Sequence, residues 1–161
     1  MIILGIDPGI GRTGWGCINR QSASTTVAVS YGCIETKSTD DEVSRLVLLY
    51  REISNVILEY KPETVAAERL FFSTNQKTAL TVGQARGVLL LAAGQQGLPV
   101  TSYTPLQVKL AITGYGQATK QQIQRMVQSM LGLSTIPQPD DTADALAIAL
   151  THCYTANYQH L

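Results

Sequence analysis

Ile2-Ile3-Leu4-Gly5-Ile6 is an uninterrupted apolar run that stops at Asp7-Pro8-Gly9, and two more strand-like segments follow before any helical pattern begins. This constrains the fold more than any other feature of the chain. The run reads as a core strand, Ile2 to Asp7, closed by a turn. Thr13 to Asn19 and Thr26 to Thr36 read as the next two strands, and connections this short make the three an antiparallel meander. From Asp40 to Tyr60 the period changes. Val43, Leu46, Val47, Tyr50, Ile53 and Ile57 recur at helical spacing, with acids in the first turn and Pro62 past the end. Thr64 to Glu68 is a short strand, 76–96 a helix and Leu98 to Ser102 a fifth strand, and helices follow at about 105–112, 118–131 and 140–156. Hairpins followed by crossovers predict an α/β domain, in which a mixed five-stranded sheet is flanked by helices. A chain of 161 residues accommodates one such domain, 1–161, and little more.

No apolar run approaches the roughly 18 residues that a membrane span needs. Met1 leads straight into the first strand without a basic leader, so no secretory signal is read and a cytoplasmic location is expected. Cys17, Cys33 and Cys153 are odd in number and widely spaced, which fits reduced thiols better than disulfides or zinc ligands. The formal net charge is zero, yet its distribution is uneven. Residues 1–68 carry six basic and nine acidic side chains, whereas 69–139 carry Arg69, Lys77, Arg86, Lys109, Lys120 and Arg125 with no acid. Asp140, Asp141 and Asp144 follow directly. A cationic surface beside a small anionic site suits a polyanion held near metal ions, although solvated faces balanced in three dimensions explain the same counts.

Gly9-Ile10-Gly11-Arg12-Thr13-Gly14 spells the dinucleotide-binding pattern G-x-G-x-x-G. That pattern needs a helix opening at the glycines, and Thr13-Gly14-Trp15-Gly16-Cys17-Ile18 is strand-like instead, so a hairpin is the better reading. What remains is Asp7, an acid at the tip of a buried strand, which serves a turn or a site. Glu68 closes the apolar run Val65-Ala66-Ala67, where glutamate fits poorly unless it meets solvent, a cation such as Arg69, or a metal. Asp140, Asp141 and Asp144 open a helix. Asp140 or Asp141 as N-cap, with Asp144 near a capping-box position, accounts for the same letters. The alanines around them, however, let that helix approach the sheet closely enough to bring Asp141 and Asp144 to the strand ends. Four converging carboxylates repel one another unless cations are present, and all-oxygen donors select hard divalent ions such as Mg2+. Two such ions can drive in-line hydrolysis of a phosphodiester.

The order βββαβα is that of a ribonuclease-H-like fold. Ile3-Leu4-Gly5-Ile6-Asp7-Pro8-Gly9, Gly83-Gln84-Ala85-Arg86-Gly87-Val88 and Asp144-Ala145-Leu146-Ala147-Ile148-Ala149, together with Tyr103 to Lys109 and Gly114 to Lys120, resemble the RuvC family of bacterial Holliday junction resolvases over nearly the whole chain. The resemblance implies a homodimer that binds a four-way DNA junction and nicks two opposed strands symmetrically during recombination and repair. It implies Asp7, Glu68, Asp141 and Asp144 as catalytic carboxylates holding Mg2+, two ions per site, with Mn2+ able to substitute. It further implies Phe71 or Phe72, of which Phe71 is preferred, against an unpaired base, and Lys109 and Lys120 at the DNA backbone. Cooperation with a branch-migration complex of the RuvA and RuvB type also belongs to that implication. Asp140 departs from the pattern and leaves room for a ligand shifted by one residue. Arg86 receives no chemistry, and His152 and His160 are read as structural or exposed. An actin-like phosphotransferase and a non-catalytic junction scaffold are the rival readings. A single short domain disfavours the first, and the retained acids disfavour the second.

Overall fold

Side chains along β1 (Ile2–Asp7) alternate between two apolar environments, and the layering follows from that alternation. Leu4 and Ile6 are buried on one face with Cys17, Val65 and Ala67, while Ile3 is buried on the other with Ile18 and Ala66. A strand that is apolar on both faces requires cover on both sides. The computed structural model, which describes residues 1–69 and 76–155, with side chains for 1–69 and 79–155, supplies it. The five-stranded sheet has the order β3-β2-β1-β4-β5. β2 (Arg12–Arg20) runs antiparallel to β1, and β3 (Thr26–Glu35) antiparallel to β2, as the short connections dictate. β4 (Thr64–Glu68) and β5 (Val100–Tyr103) are parallel to it, each reached through a helix.

α1 (Glu42–Tyr60) and α2 (Gln76–Gln95) cover the Leu4 and Ile6 face through Leu49, Ile53, Ile57, Ala85 and Leu89. α1 starts where the Asp41 side chain accepts from Ser44 N–H and stops where Lys61 turns left-handed at φ 48°. α3 (Pro105–Thr113), α4 (Lys120–Met130) and α5 (Asp140–Thr155) cover the opposite face. α5 lies between the sheet and α3 and α4, so it is buried almost all round, from Ala143 through Cys153 apart from Asp144. Truncating Leu146 or Leu150 there to alanine costs about 2–5 kcal/mol.

The expected elements are all present, with small shifts that local chemistry explains. β5 begins at Val100, not Leu98, because Leu98 N–H still turns back to Ala93 O after α2. α4 begins at Lys120, not at 118, because Thr119 and Gln122 form a reciprocal capping box; Thr104 and Gln107 do the same for α3. Among the described residues no helix is long and apolar enough to cross a membrane. Cys17, Cys33 and Cys153 are not joined in disulfides among the described residues.

Candidate active site

The sheet register delivers two of the predicted acids. Ile6 pairs with Ala67, so Asp7 and Glu68 each stand one residue past that pairing, at the same end of adjacent parallel strands. Alternation then fixes their side: Ile3 and Ala66 face α5, and so do Asp7 and Glu68. The other two acids arrive with α5, and three glycines decide how closely. Gly14 lies opposite Asp7 on β2, and Gly16 opposite Gly5. A Cβ on Gly14 would overlap the Asp141 carbonyl, one on Gly5 would overlap the Ala145 carbonyl and reach 2.9 Å from Ala149 Cβ, and one on Gly16 would lie 2.6 Å from Leu146 Cδ2. The first turns of α5 therefore rest directly on β1 and β2 backbone, a spacing that only glycine allows.

The electrostatics register the convergence. The Asp7 carboxyl is pushed up to about 8, first by burial, then by the charges of Glu68 and Asp144, a hydrogen bond with Glu68, and the charge of Asp141. Glu68 is raised as well, by burial, although its hydrogen bond from Asp7 opposes the shift. Burial and like charge thus favour the protonated form of Asp7 beside Glu68 when no cation is present. Burial also raises Asp144, against the pull of Lys120. Lys120 opens α4, where a helix dipole disfavours a cation, and Nζ is held 2.6 Å from Asp140 and 2.9 Å from Asp144. Burial disfavours its charge, but these two partners outweigh that and raise its pKa. On the other flank Arg12 Nε stands 3.2 Å from Asp141 Oδ2, and Arg12 Nη1 is 3.8 Å from Asp140. Arg12 Nε lies outside hydrogen-bonding geometry to Asp141 Oδ2, which is buried without a hydrogen-bond partner.

These features fit hard divalent cations. The donors are all carboxylate oxygens, one is buried and unsatisfied, and burial and mutual repulsion leave the cluster short of positive charge. Among the described residues no three acids, histidines or cysteines are drawn into a closed ligand set, consistent with Arg12 and Lys120 holding the α5 acids. Glu68, Asp144, Lys109 and Lys120 line one cleft of about 230 Å3, with Pro105, Val108 and Ile123 as its apolar wall. The structure thus places Lys109 and Lys120 beside the acids.

Two local expectations change. Asp140 and Asp141 do not cap α5: both lie in its first turn, after the cis Gln138-Pro139 bond, and turn their carboxylates to Arg12 and Lys120. Arg69 forms no ion pair with Glu68 among the described residues; its N–H extends the ladder to Tyr103 O. Phe71, Phe72 and His160 lie outside the described residues. His152 is buried, its ring 3.3 Å from Thr64 Oγ1 and 2.9 Å from the Tyr103 hydroxyl, a structural role. Sequence reasoning missed Arg12, which looked like one more residue of a false nucleotide motif, and it missed the glycine floor. Gly5, Gly14 and Gly16 all fall on one face at period two, a pattern that could have disclosed that floor.

The model of the family described as crossover junction endodeoxyribonuclease RuvC matches residues 3–152. The Caldicellulosiruptor saccharolyticus enzyme of that description is 53% identical over 157 residues, covering 98% of this chain and 95% of that one. The Alkaliphilus oremlandii enzyme is 51% identical over 161 residues, covering 100% and 98%. Among solved structures, Thermus thermophilus RuvC in complex with a Holliday junction substrate superposes with a TM-score of 0.94 at 37% identity, covering 99% of this chain and 96% of that one. The yeast mitochondrial Holliday junction resolvase shares the fold, with a TM-score of 0.64 at 16% identity over 99% of this chain and 86% of that one. With a family model spanning nearly all of its length and relatives at half identity or better, the chain belongs to the RuvC family of crossover junction endodeoxyribonucleases.

Proposed function

We propose that the chain resolves four-way DNA junctions by metal-dependent hydrolysis of a phosphodiester, with Asp7, Glu68, Asp141 and Asp144 as ligands of Mg2+ or Mn2+. The observation that carries this reading is the carboxyl cluster at the ends of β1 and β4, in which burial and three acidic neighbours push Asp7 up to about 8. When bound, two divalent ions supply an activated water and stabilise the leaving oxygen. The chain's own residues do the rest. Asp7 gives up its proton, and Glu68, Asp144 and the unsatisfied Asp141 Oδ2 complete an all-oxygen donor set. Lys120, freed from Asp144, and Lys109 across the cleft face the scissile phosphate and offset charge that builds in the transition state. Asp140 remains outside the ligand set, as a partner for Lys120 and Arg12.

A homodimer places two such sites on one junction, so that opposed strands are cut symmetrically, and a branch-migration complex of the RuvA and RuvB type delivers the junction. The test is cleavage of a synthetic four-way junction with Mg2+, beside a linear duplex of the same sequence and the Asp7→Asn variant. Paired, ligatable nicks made only in the junction, lost in Asp7→Asn with binding retained, are the expected result. Equal cutting of the duplex, or unimpaired cutting by Asp7→Asn, overturns the reading.

A further inference from the structure

Arg86 belongs to α2, on the side of the sheet away from α5, yet its guanidinium reaches the strand end that carries Glu68. Nε donates to Glu68 O at 2.9 Å, and Nη2 donates to Ser102 Oγ at 2.7 Å. The hydrogen-bond ladder explains the need. β1 pairs with β4 through Ile6 and Ala67 and goes no further. On the other side, Arg69 N–H closes the β4–β5 ladder on Tyr103 O. The Glu68 carbonyl therefore lies where strand pairing runs out, in a half-buried position, and leaving it unmatched there is unfavourable. Burying a cation at this strand end is itself unfavourable: desolvation, and then repulsion from Arg69, lower the Arg86 pKa. Among the described residues no carboxylate forms an ion pair with it, so charge neutralisation does not account for an arginine here. Geometry does. A planar fork can hold two acceptors on adjacent strands at once, which a single ammonium on a flexible stem does poorly.

We propose that Arg86 is a positioning residue for strand cleavage: by bridging the Glu68 carbonyl and Ser102 it fixes the backbone from which the Glu68 carboxylate enters the metal site. It touches neither DNA nor metal ion, and it acts through Glu68 alone. The inference rests on the carboxylate reading proposed above. A displacement of about 1 Å at a catalytic group is worth roughly a hundredfold in rate, and losing the fork frees the Glu68 peptide to shift on that scale. The same geometry makes the β4 end answer to α2, a helix that lies outside the cleft.

Three variants test this: Arg86→Met, which removes the fork, Arg86→Lys, which keeps one donor, and Ser102→Ala, which removes one acceptor and leaves the guanidinium. Each is measured for junction affinity in EDTA, for single-turnover cleavage at saturating junction, and for the Mn2+ concentration that half-saturates the rise in Tm without DNA. The expected result is affinity within twofold of wild type throughout, with cleavage down about 30- to 100-fold in Arg86→Met and 3- to 10-fold in Ser102→Ala. Partial recovery is expected in Arg86→Lys, and the Mn2+ midpoint should rise at least fivefold in Arg86→Met. Cleavage within twofold of wild type in Ser102→Ala and Arg86→Lys overturns the inference, even if Arg86→Met fails to fold. A parallel loss of junction affinity also overturns it, because Arg86 would then be a DNA contact. Asp7→Asn serves as the control on the underlying reading: if it cleaves like wild type, the carboxylate site is wrong, whatever Arg86 does.

Discussion

Gly14→Ala puts one methyl group between β2 and α5 without replacing any of the four proposed catalytic acids. Gly14 lies opposite Asp7, and its added Cβ would overlap the Asp141 carbonyl oxygen and carbon and stand 3.1 Å from Thr142 N. Those are backbone atoms in the first turn of a helix and cannot be relieved by a rotamer change. The 1.9 Å separation from the Asp141 carbonyl oxygen falls about 1.6 Å short of the roughly 3.5 Å of touching atoms, so the start of α5 must move away from β2 by more than 1 Å. Asp141 and Asp144 travel with it while Asp7 and Glu68 stay on the sheet, so the acids separate along the direction in which they must converge. Overpacking of this kind costs about 1–3 kcal/mol, a fall in Tm of roughly 3–10 °C for a domain of this size. The catalytic loss is larger in relative terms: about a hundredfold in single-turnover cleavage for a 1 Å misplacement, at unchanged junction affinity. The matched control is Gly94→Ala on α2, where nothing lies within 4 Å of the new methyl. It should stabilise the protein by about 0.4–1 kcal/mol and cleave normally. If Gly14→Ala remains folded and cleaves within threefold of wild type, close approach of α5 does not set the geometry of the site.

Three further outcomes follow from the charges. Asp7 is raised from 3.8 to about 8, so its protonated form is the one that the metal-free fold favours. The stability it contributes is complete below about pH 4 and is lost as pH rises through about 8. In EDTA, wild-type Tm should therefore fall over that range relative to Asp7→Asn, with the variant more stable at pH 8 by on the order of 2 kcal/mol, or about 4–8 °C; parallel Tm curves for the two proteins refute this. Because the same proton must leave before a cation binds, the half-saturating Mg2+ concentration should fall as pH rises and level off above about 8. Calorimetry in buffers of different ionisation heat should detect the proton released, and a metal midpoint that ignores pH counts against it. Lys120→Met should lower single-turnover cleavage by about a hundredfold and reduce the salt slope of junction binding by about one, because both a transition-state cation and a phosphate contact are lost; an unchanged slope removes Lys120 from the DNA surface.

Much of the scaffold was legible because periodicity reports burial. The meander, the α1 boundaries within two residues, and β4 from Thr64 to Glu68 all follow from apolar spacing. Asp7 and Glu68 were legible as acids at the tips of otherwise apolar strands, where their identity conflicts with local propensity. Asp141 and Asp144 were ambiguous, since a helix start attracts aspartate for its own reasons. The packed structure removes the capping reading of Asp140 and Asp141 by turning these first-turn carboxylates to Arg12 and Lys120. Arg12 and Arg86 stayed hidden for one reason: their partners are distant in sequence, Asp141 for one and the Glu68 carbonyl for the other. A backbone carbonyl offers no letter to read.

The two flanking cations also explain why recognising a junction and cutting it should be separable. Among the described residues Asp140, Asp141 and Asp144 form ion pairs with Arg12 and Lys120 alone, and Asp7 and Glu68 form none, so five acids meet two paired cations and the cluster keeps excess negative charge. A DNA phosphate brought to this point without metal meets repulsion in a partly buried, weakly screened setting. Basic side chains not paired with these acids, such as exposed Arg125 on α4, would attract the polyanion over about a Debye length. Long-range attraction therefore brings DNA to the surface, while short-range repulsion keeps the scissile phosphate out of the acids until positive charge is added there. Neutralising Asp7 by Asp7→Asn eases the repulsion but removes a proposed ligand. That is why binding should survive, or even tighten, in a variant expected to lose cutting.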